Sequence, residues 1–224
     1  MKIVSKNRKQ RYRFLRVIMP NNFEKNNDSY YGIGSFLAEI VKVFFLALLI
    51  IAPIRIFLFQ PFFVQGASME PNFEDGEYLI VNELGYKITD IEFDDIKFFS
   101  VKSFKDLKRG DVIVFRYPKN PKQYFIKRVI ALPGEKIEIR NGQVIISQKG
   151  SNPIVLDESE YLAENEKTSG ELAMVLKDDE YFVMGDNRSF SSDSRSWGPV
   201  KKENIIGKVL IRAWPFDRVR LYLE

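Results

Sequence analysis

Lys136-Ile137-Glu138-Ile139-Arg140-Asn141-Gly142-Gln143-Val144-Ile145-Ile146-Ser147 decides the fold class of this chain. Lys136–Arg140 alternates polar and apolar residues without a break, the pattern of a strand with one buried face. Asn141-Gly142 follows, and this pair tolerates the two left-handed conformations of a type I′ turn. Gln143–Ser147 supplies the return strand. Outward from this hairpin the same pattern recurs. Glu77–Val81 follows the turn signal Glu74-Asp75-Gly76, and Val112–Phe115 follows Arg109-Gly110-Asp111. Tyr124–Leu132 is apolar and β-branched until Pro133-Gly134 ends it. Glu180–Met184, Ile205–Ala213 and Arg218–Leu223 add further strands. Ser147–Asp179 is polar and poorly periodic, and reads as an insertion or excursion beyond the hairpin. Thr89–Asp106 reads as a mobile loop. The sequence therefore predicts a mainly β protein with a barrel-like or sandwich-like core.

The region ahead of these strands has a different character. Val43–Ile54 is unbroken apolar sequence, and Phe36–Phe59 holds only Glu39, Lys42 and Arg55 as charges. About 20 apolar residues cross a bilayer core, so this stretch reads as a transmembrane helix. Pro53 predicts a kink or the helix end. Residues 1–35 carry eight basic residues and two acids, while the remainder carries 26 Lys and Arg against 28 Asp and Glu. The basicity thus belongs to an N-terminal stub, and nothing in the charge pattern suggests a nucleic-acid-binding face. A basic flank also predicts that residues 1–35 stay in the cytoplasm and that the chain past Phe59 lies outside. A cleaved leader fits poorly, because the basic region is long and no small-x-small site follows closely. A buried core helix leaves the basic stub unexplained.

The chain has no histidine and no cysteine. A Ser-His-Asp triad, a thiol protease, disulfides and the usual zinc cages are therefore excluded. A serine nucleophile here needs another base, and lysine is the natural candidate. Ser68 lies in Gly66-Ala67-Ser68-Met69-Glu70-Pro71, just past the apolar span. Lys127 lies in the strand-like Tyr124-Phe125-Ile126-Lys127-Arg128, flanked by Ile126 and Val129. Lys87, Lys97 and Lys105 sit in more polar stretches. With an ordinary pKa near 10.4, lysine is neutral at pH 7 only about once in 2,500, and holding it neutral costs about 4.6 kcal/mol. Burial among apolar groups supplies such a shift. Taken alone, Ser68 is a turn serine and Lys127 a lysine on the wet face of a strand. The dense polar loop Gly185–Gly198 (GDNRSFSSDSRSWG) changes the balance, since its hydroxyls and paired charges suit the bracing of a site. The combination points to a membrane-bound Ser/Lys hydrolase.

Together these segments resemble bacterial type I signal peptidase. Ser68-Met69-Glu70-Pro71 is similar to its nucleophile box, Arg109–Phe115 (RGDVIVF) to its structural strand box, and Tyr124–Glu135 (YFIKRVIALPGE) to its general-base box. Gly185–Gly198 resembles its last box, and Arg212–Arg218 (RAWPFDR) also looks typical. The resemblance implies that Ser68 is the acylating nucleophile, Lys127 the general base and Ser191 the residue that orients the lysine amine. It implies an ion pair of Asp193 and Arg195 supporting the loop. Gly66 stands where some members place a serine, so the oxyanion falls to backbone donors, chiefly the Ser68 amide. Asn72-Phe73 replaces the more usual Thr-Leu, and Ser189-Phe190 the more usual Asp-Asn.

The implied organisation is a cytoplasmic stub (1–35), a transmembrane anchor (36–59), an all-β catalytic domain (60–135 and 180–224) and a smaller inserted β region (136–179). The implied reaction is removal of signal peptides from exported preproteins, after small residues at the first and third positions before the cut. No metal or organic cofactor is implied. The implied partners are the preproteins, the lipid bilayer and, as a candidate, the secretion translocon, at the bacterial cytoplasmic membrane. Two other readings share parts of the pattern. One is a related Ser/Lys protease dedicated to a single exported substrate, such as a conjugation or pilus component. The other is a non-catalytic membrane-anchored binding domain.

Overall fold

The computed structural model describes residues 32–93, 96–148, 150–164 and 166–222, so most of the basic stub lies outside the described residues. The chain divides into two units, 1–47 and 48–224. Helix α1 (Ile33–Phe57) runs across the division. Its portion Ile33–Ala52 is long and apolar enough to cross a membrane, and its apolar side chains stand exposed. A helix that is apolar all round suits lipid rather than water. It runs through Pro53, where a kink or end was expected, and stops at Phe57.

The second unit is built of short strands: β1 (Phe59–Phe63), β2 (Tyr78–Asn82), β3 (Thr89–Phe93), β4 (Ile96–Val101), β5 (Val112–Tyr117), β6 (Asn120–Ala131) and β7 (Lys136–Arg140). There follow β8 (Gln143–Ser147), β9 (Ile154–Val155), β10 (Leu172–Val175), β11 (Glu180–Met184), β12 (Val200–Lys201), β13 (Ile205–Trp214) and β14 (Arg220–Leu221). The main sheet has the order β1-β2-β13-β5-β6-β11-β12, with β14 added to β13. A smaller sheet has the order β10-β7-β8-β9, and β3 pairs β4. Every pairing among the described residues is antiparallel.

The β7–β8 hairpin forms where its sequence places it. Asn141 and Gly142 both take positive φ, 52° and 78°, as a type I′ turn requires. The resulting register buries Ile137, Ile139, Val144 and Ile146. These pack against Ile130 of β6 and Phe182 and Met184 of β11, which joins the small sheet to the main one. A second buried cluster, including Met69, Phe73, Leu79, Val114 and Val209, lies beneath the segment between β1 and β2.

Two segments differ from expectation. Thr89–Asp106, read as a loop, contains the β3–β4 pair. Ser147–Asp179, read as aperiodic, contributes β9 and β10, which pair with β8 and β7 and extend the hairpin into a four-stranded sheet. In both cases cross-strand pairing overrides a weak local signal. A further short helix, α2 (Ser194–Trp197), forms inside the polar loop after β11. Its N-cap is Asp193, whose carboxylate accepts from the Arg195 amide.

Candidate active site

Ser68 occupies the turn between β1 and β2. Met69 and Phe73 on its C-terminal side are fully buried and pull that segment into the core. The Gly66 amide donates to Asp75 Oδ1 at 2.6 Å and fixes the approach to the turn. Ser68 is thereby left half-buried at the crest.

Lys127 comes from β6, opposite Ile113 of β5. On the other side β11 pairs with β6 only from Arg128 toward Ala131, so pairing stops one residue short of Lys127. The lysine emerges where the sheet opens, and only 4% of it is exposed. Its Nζ donates to Ser68 Oγ at 2.5 Å and to the Ile126 carbonyl at 2.8 Å. The sequence-predicted pair is therefore in direct contact. Burial pushes the lysine pKa down to about 8, although the Asp193 and Asp186 carboxylates pull the other way. At that value roughly one amine in ten is neutral at pH 7, against about one in 2,500 for a solvated lysine. With the amine neutral the same contact runs in the opposite sense, the Ser68 hydroxyl donating to Nζ.

The loop after β11 wraps the back of this pair. The Asn187 amide donates to the Ser68 carbonyl at 3.1 Å, and Asn187 Nδ2 donates to the Ala67 carbonyl at 3.1 Å. The Ser68 amide donates no hydrogen bond among the described residues, which leaves it available to an incoming oxyanion. Asp193 and Arg195 form the expected ion pair, with contacts of 2.8 Å. Burial works to raise the Asp193 pKa, but hydrogen bonds and charge from Arg195 outweigh it and hold the carboxylate ionised. Asp193 Oδ2 also accepts from the Gly185 amide at 3.1 Å.

Ser191 lies against Gly185 and makes no hydrogen bond to the amine among the described residues. The two partners of Lys127 Nζ are Ser68 and the Ile126 carbonyl, and buried Ser191 Oγ has no hydrogen-bond partner at normal geometry among the described residues. Gly185 explains how tightly these pieces meet. A Cβ at that position would overlap the Ser191 hydroxyl and the Ser68 carbonyl, and would lie 2.6 Å from Ser191 Cβ.

A cleft of about 750 Å³ opens at the pair. Phe62, Leu79, Val114 and Ile126 give it apolar walls, while Ser68 and Lys127 lie at its edge. Along it, residues 120–127 of β6 lack a partner strand on the β11 side among the described residues. Such an open edge accepts an extended peptide by backbone pairing.

Residues 37–214 match the family model described as signal peptidase, peptidase S26. The chain belongs to this signal peptidase family. Signal peptidase I P of Bacillus subtilis subsp. natto is 34% identical over 196 residues, covering 83% of this chain and 94% of that protein. Signal peptidase IB of Staphylococcus aureus is 30% identical over 175 residues, covering 73% and 82%. Among solved structures, a signal peptidase I of Enterococcus faecalis V583 is 31% identical, covering 47% of this chain and 98% of that one, with a TM-score of 0.39.

In this signal peptidase the sequence reading missed a second layer of residues. Arg128, the neighbour of Lys127, turns to the opposite face of β6 and clasps the buried Asp186 carboxylate at 2.6 and 2.7 Å. Asp186 Oδ2 also accepts from Asn72 Nδ2 at 2.9 Å. The available signal was alternation: if Lys127 faces the site, Arg128 must face away and need a counter-ion. Its partner, 58 residues distant, left no trace at that range.

Proposed function

We propose that this signal peptidase removes signal peptides from exported preproteins with Ser68 as nucleophile and Lys127 as general base. The 2.5 Å contact between Ser68 Oγ and the buried Lys127 amine carries the assignment. Neutral Lys127 takes the hydroxyl proton as Ser68 Oγ attacks the scissile carbonyl. The Ser68 amide, uncommitted among the described residues, donates to the oxyanion. The tetrahedral intermediate collapses, Lys127 passes its proton to the leaving amine, and the signal peptide stays as an ester on Ser68. Lys127 then deprotonates the water that attacks the ester, and returns that proton to Ser68 Oγ as the signal peptide leaves as a carboxylic acid. Ser191, whose hydroxyl lies against Gly185 beside the Ser68 carbonyl, takes the part of orienting the amine during turnover, and Asp193 with Arg195 holds that loop in place.

The substrate lies extended along the free edge of β6, with small side chains directed to the apolar walls of the cleft. The basic stub supports an orientation with the N-terminus in the cytoplasm and the β unit outside. Anchor and signal peptide then share one bilayer, which reduces the cost of bringing the cut site to Ser68. The secretion translocon is the natural source of substrate on that side.

The test is processing of a preprotein by the full chain in lipid vesicles. Ser68→Ala is expected to accumulate uncut preprotein at less than about a thousandth of the parent rate. Parent-level cutting by Ser68→Ala would remove Ser68 from the mechanism.

A further inference from the structure

The segment between β9 and β10 reaches into the back of the site. Tyr161 meets two catalytic segments at once. Its carbonyl accepts from Asn72 Nδ2 at 2.6 Å, four residues beyond the nucleophile. Its ring lies under the Arg128 guanidinium, 4.3 Å from the ring centre, one residue beyond the base. Its hydroxyl donates to Glu158 Oε1 at 2.8 Å. Glu158 in turn receives Arg188, whose Nη1 donates to Glu158 Oε2 at 3.0 Å and whose Nη2 pairs with Oε1. Arg188 belongs to the catalytic loop, and its side chain is completely buried. Its Nε donates to the Gly185 carbonyl at 3.1 Å, at the residue wedged between Ser68 and Ser191.

The charge logic points the same way. Burial works against the Arg188 charge, and the hydrogen bonds and charge of Glu158 outweigh that effect. Burial, then the Glu158 charge, push the Tyr161 phenol up, so its hydroxyl remains a donor. A buried guanidinium stripped of the carboxylate it pairs with does not stay where it was. Glu158 therefore fixes Arg188, Arg188 fixes Gly185, and Tyr161 ties both to the nucleophile turn and to β6. Asn72 Nδ2 is the donor of this tie on the nucleophile turn.

The geometry points to Glu158 and Tyr161 as positioning residues of the dyad, holding the nucleophile turn, the base strand and the catalytic loop in one arrangement from within the inserted segment. This inference rests on the assignment of Ser68 and Lys127. It gives the inserted segment a role in turnover rather than in stability alone. Loosening the tie shifts Gly185 and admits water beside Lys127, whose burial is what holds its pKa down against the charges of Asp193 and Asp186.

The test compares full-length parent, Glu158→Gln and Glu158→Asp in proteoliposomes, following preprotein cleavage from pH 6 to 9.5. Glu158→Gln keeps the shape and removes the charge. It is expected to lower kcat by about 10- to 100-fold with KM little changed, the scale of a sub-ångström to ångström displacement of reacting groups. The pH at which the rate levels should move upward, toward that of a solvated lysine. Glu158→Asp, which keeps the charge, should recover part of kcat and return the levelling pH toward the parent's. If Glu158→Gln does not fold, Tyr161→Phe carries the test. It keeps the ring over Arg128, loses only the hydroxyl, and is expected to lower kcat by about threefold or more. A folded variant with lower thermal stability but the parent's kcat and levelling pH overturns the inference. Ser68→Ala in the same series separates the two claims. If it is inactive while Glu158→Gln behaves as the parent, the positioning role alone fails. If it stays active, the dyad assignment fails and this inference with it.

Discussion

Lys127→Met is expected to give a folded, inactive enzyme that is more stable than the parent at neutral pH. The activity loss follows from chemistry that has no substitute in this chain. With no histidine available and Lys127 the one nitrogen base in contact with the Ser68 hydroxyl among the described residues, removal of the amine should cost about a thousandfold or more in kcat/KM. The stability gain follows from linkage. The folded-state pKa is lowered from 10.5 to about 8 by burial. Between those values the unfolded chain binds more protons than the folded one, so parent stability rises with pH across that window. Below about pH 8 the full penalty of a buried ammonium is present, on the order of 3 kcal/mol for a shift of this size. Methionine carries no charge and has a similar shape, so it escapes the penalty, while losing the bonds to Ser68 and the Ile126 carbonyl and the attraction of Asp193 and Asp186. The advantage of Lys127→Met should be greatest below pH 8 and shrink toward pH 10. Thermal unfolding at pH 7 and pH 10 measures it directly. A variant less stable than the parent at pH 7 would contradict the claim that the lysine is held against its preferred state.

Gly185→Ala is the second large effect. The added methyl overlaps the Ser68 carbonyl and the Ser191 hydroxyl and crowds Ser191 Cβ, so turning the serine side chain alone does not relieve it. The Ser68 carbonyl is already gripped by the Asn187 amide, so relief requires moving the nucleophile turn itself. A displacement of about 1 Å at reacting atoms costs on the order of 100-fold in rate. Overpacking of a filled interior adds roughly 1–3 kcal/mol of destabilisation. The expected result is a folded protein with kcat reduced about 100-fold and a lowered melting temperature. Parent kcat in this variant would show that the contact between the catalytic loop and the nucleophile turn does not set the site geometry.

Much of this arrangement was legible in the sequence because the signals were local. The β7–β8 hairpin carries strict alternation and an Asn-Gly turn within twelve residues, and its strands fall where they were read. The apolar span needs only length and composition. Ser68 and Lys127 stood out because the missing histidine narrowed the choice of base. What escaped depends on long-range pairing. β10 joins β7 across more than thirty residues of sequence, and neither strand marks its partner. The segment containing β3 and β4 has Asp94 and Asp95 between its strands in place of the Gly or Asn that announces a turn. Asp186 and Glu158 looked like ordinary acids, since their value lies in the guanidinium each one buries.

The most direct test of the central claim is the pH dependence of Ser68 acylation by a serine-directed penem, with the modified residue located by peptide mass mapping. The reaction isolates the first chemical step from substrate delivery. An adduct on Ser68 is expected, with a rate that rises about tenfold per pH unit before levelling near pH 8, as the buried amine gives up its proton. A rate that is flat from pH 6 to 9.5, or equal in Lys127→Met and the parent, would contradict Lys127 as the base.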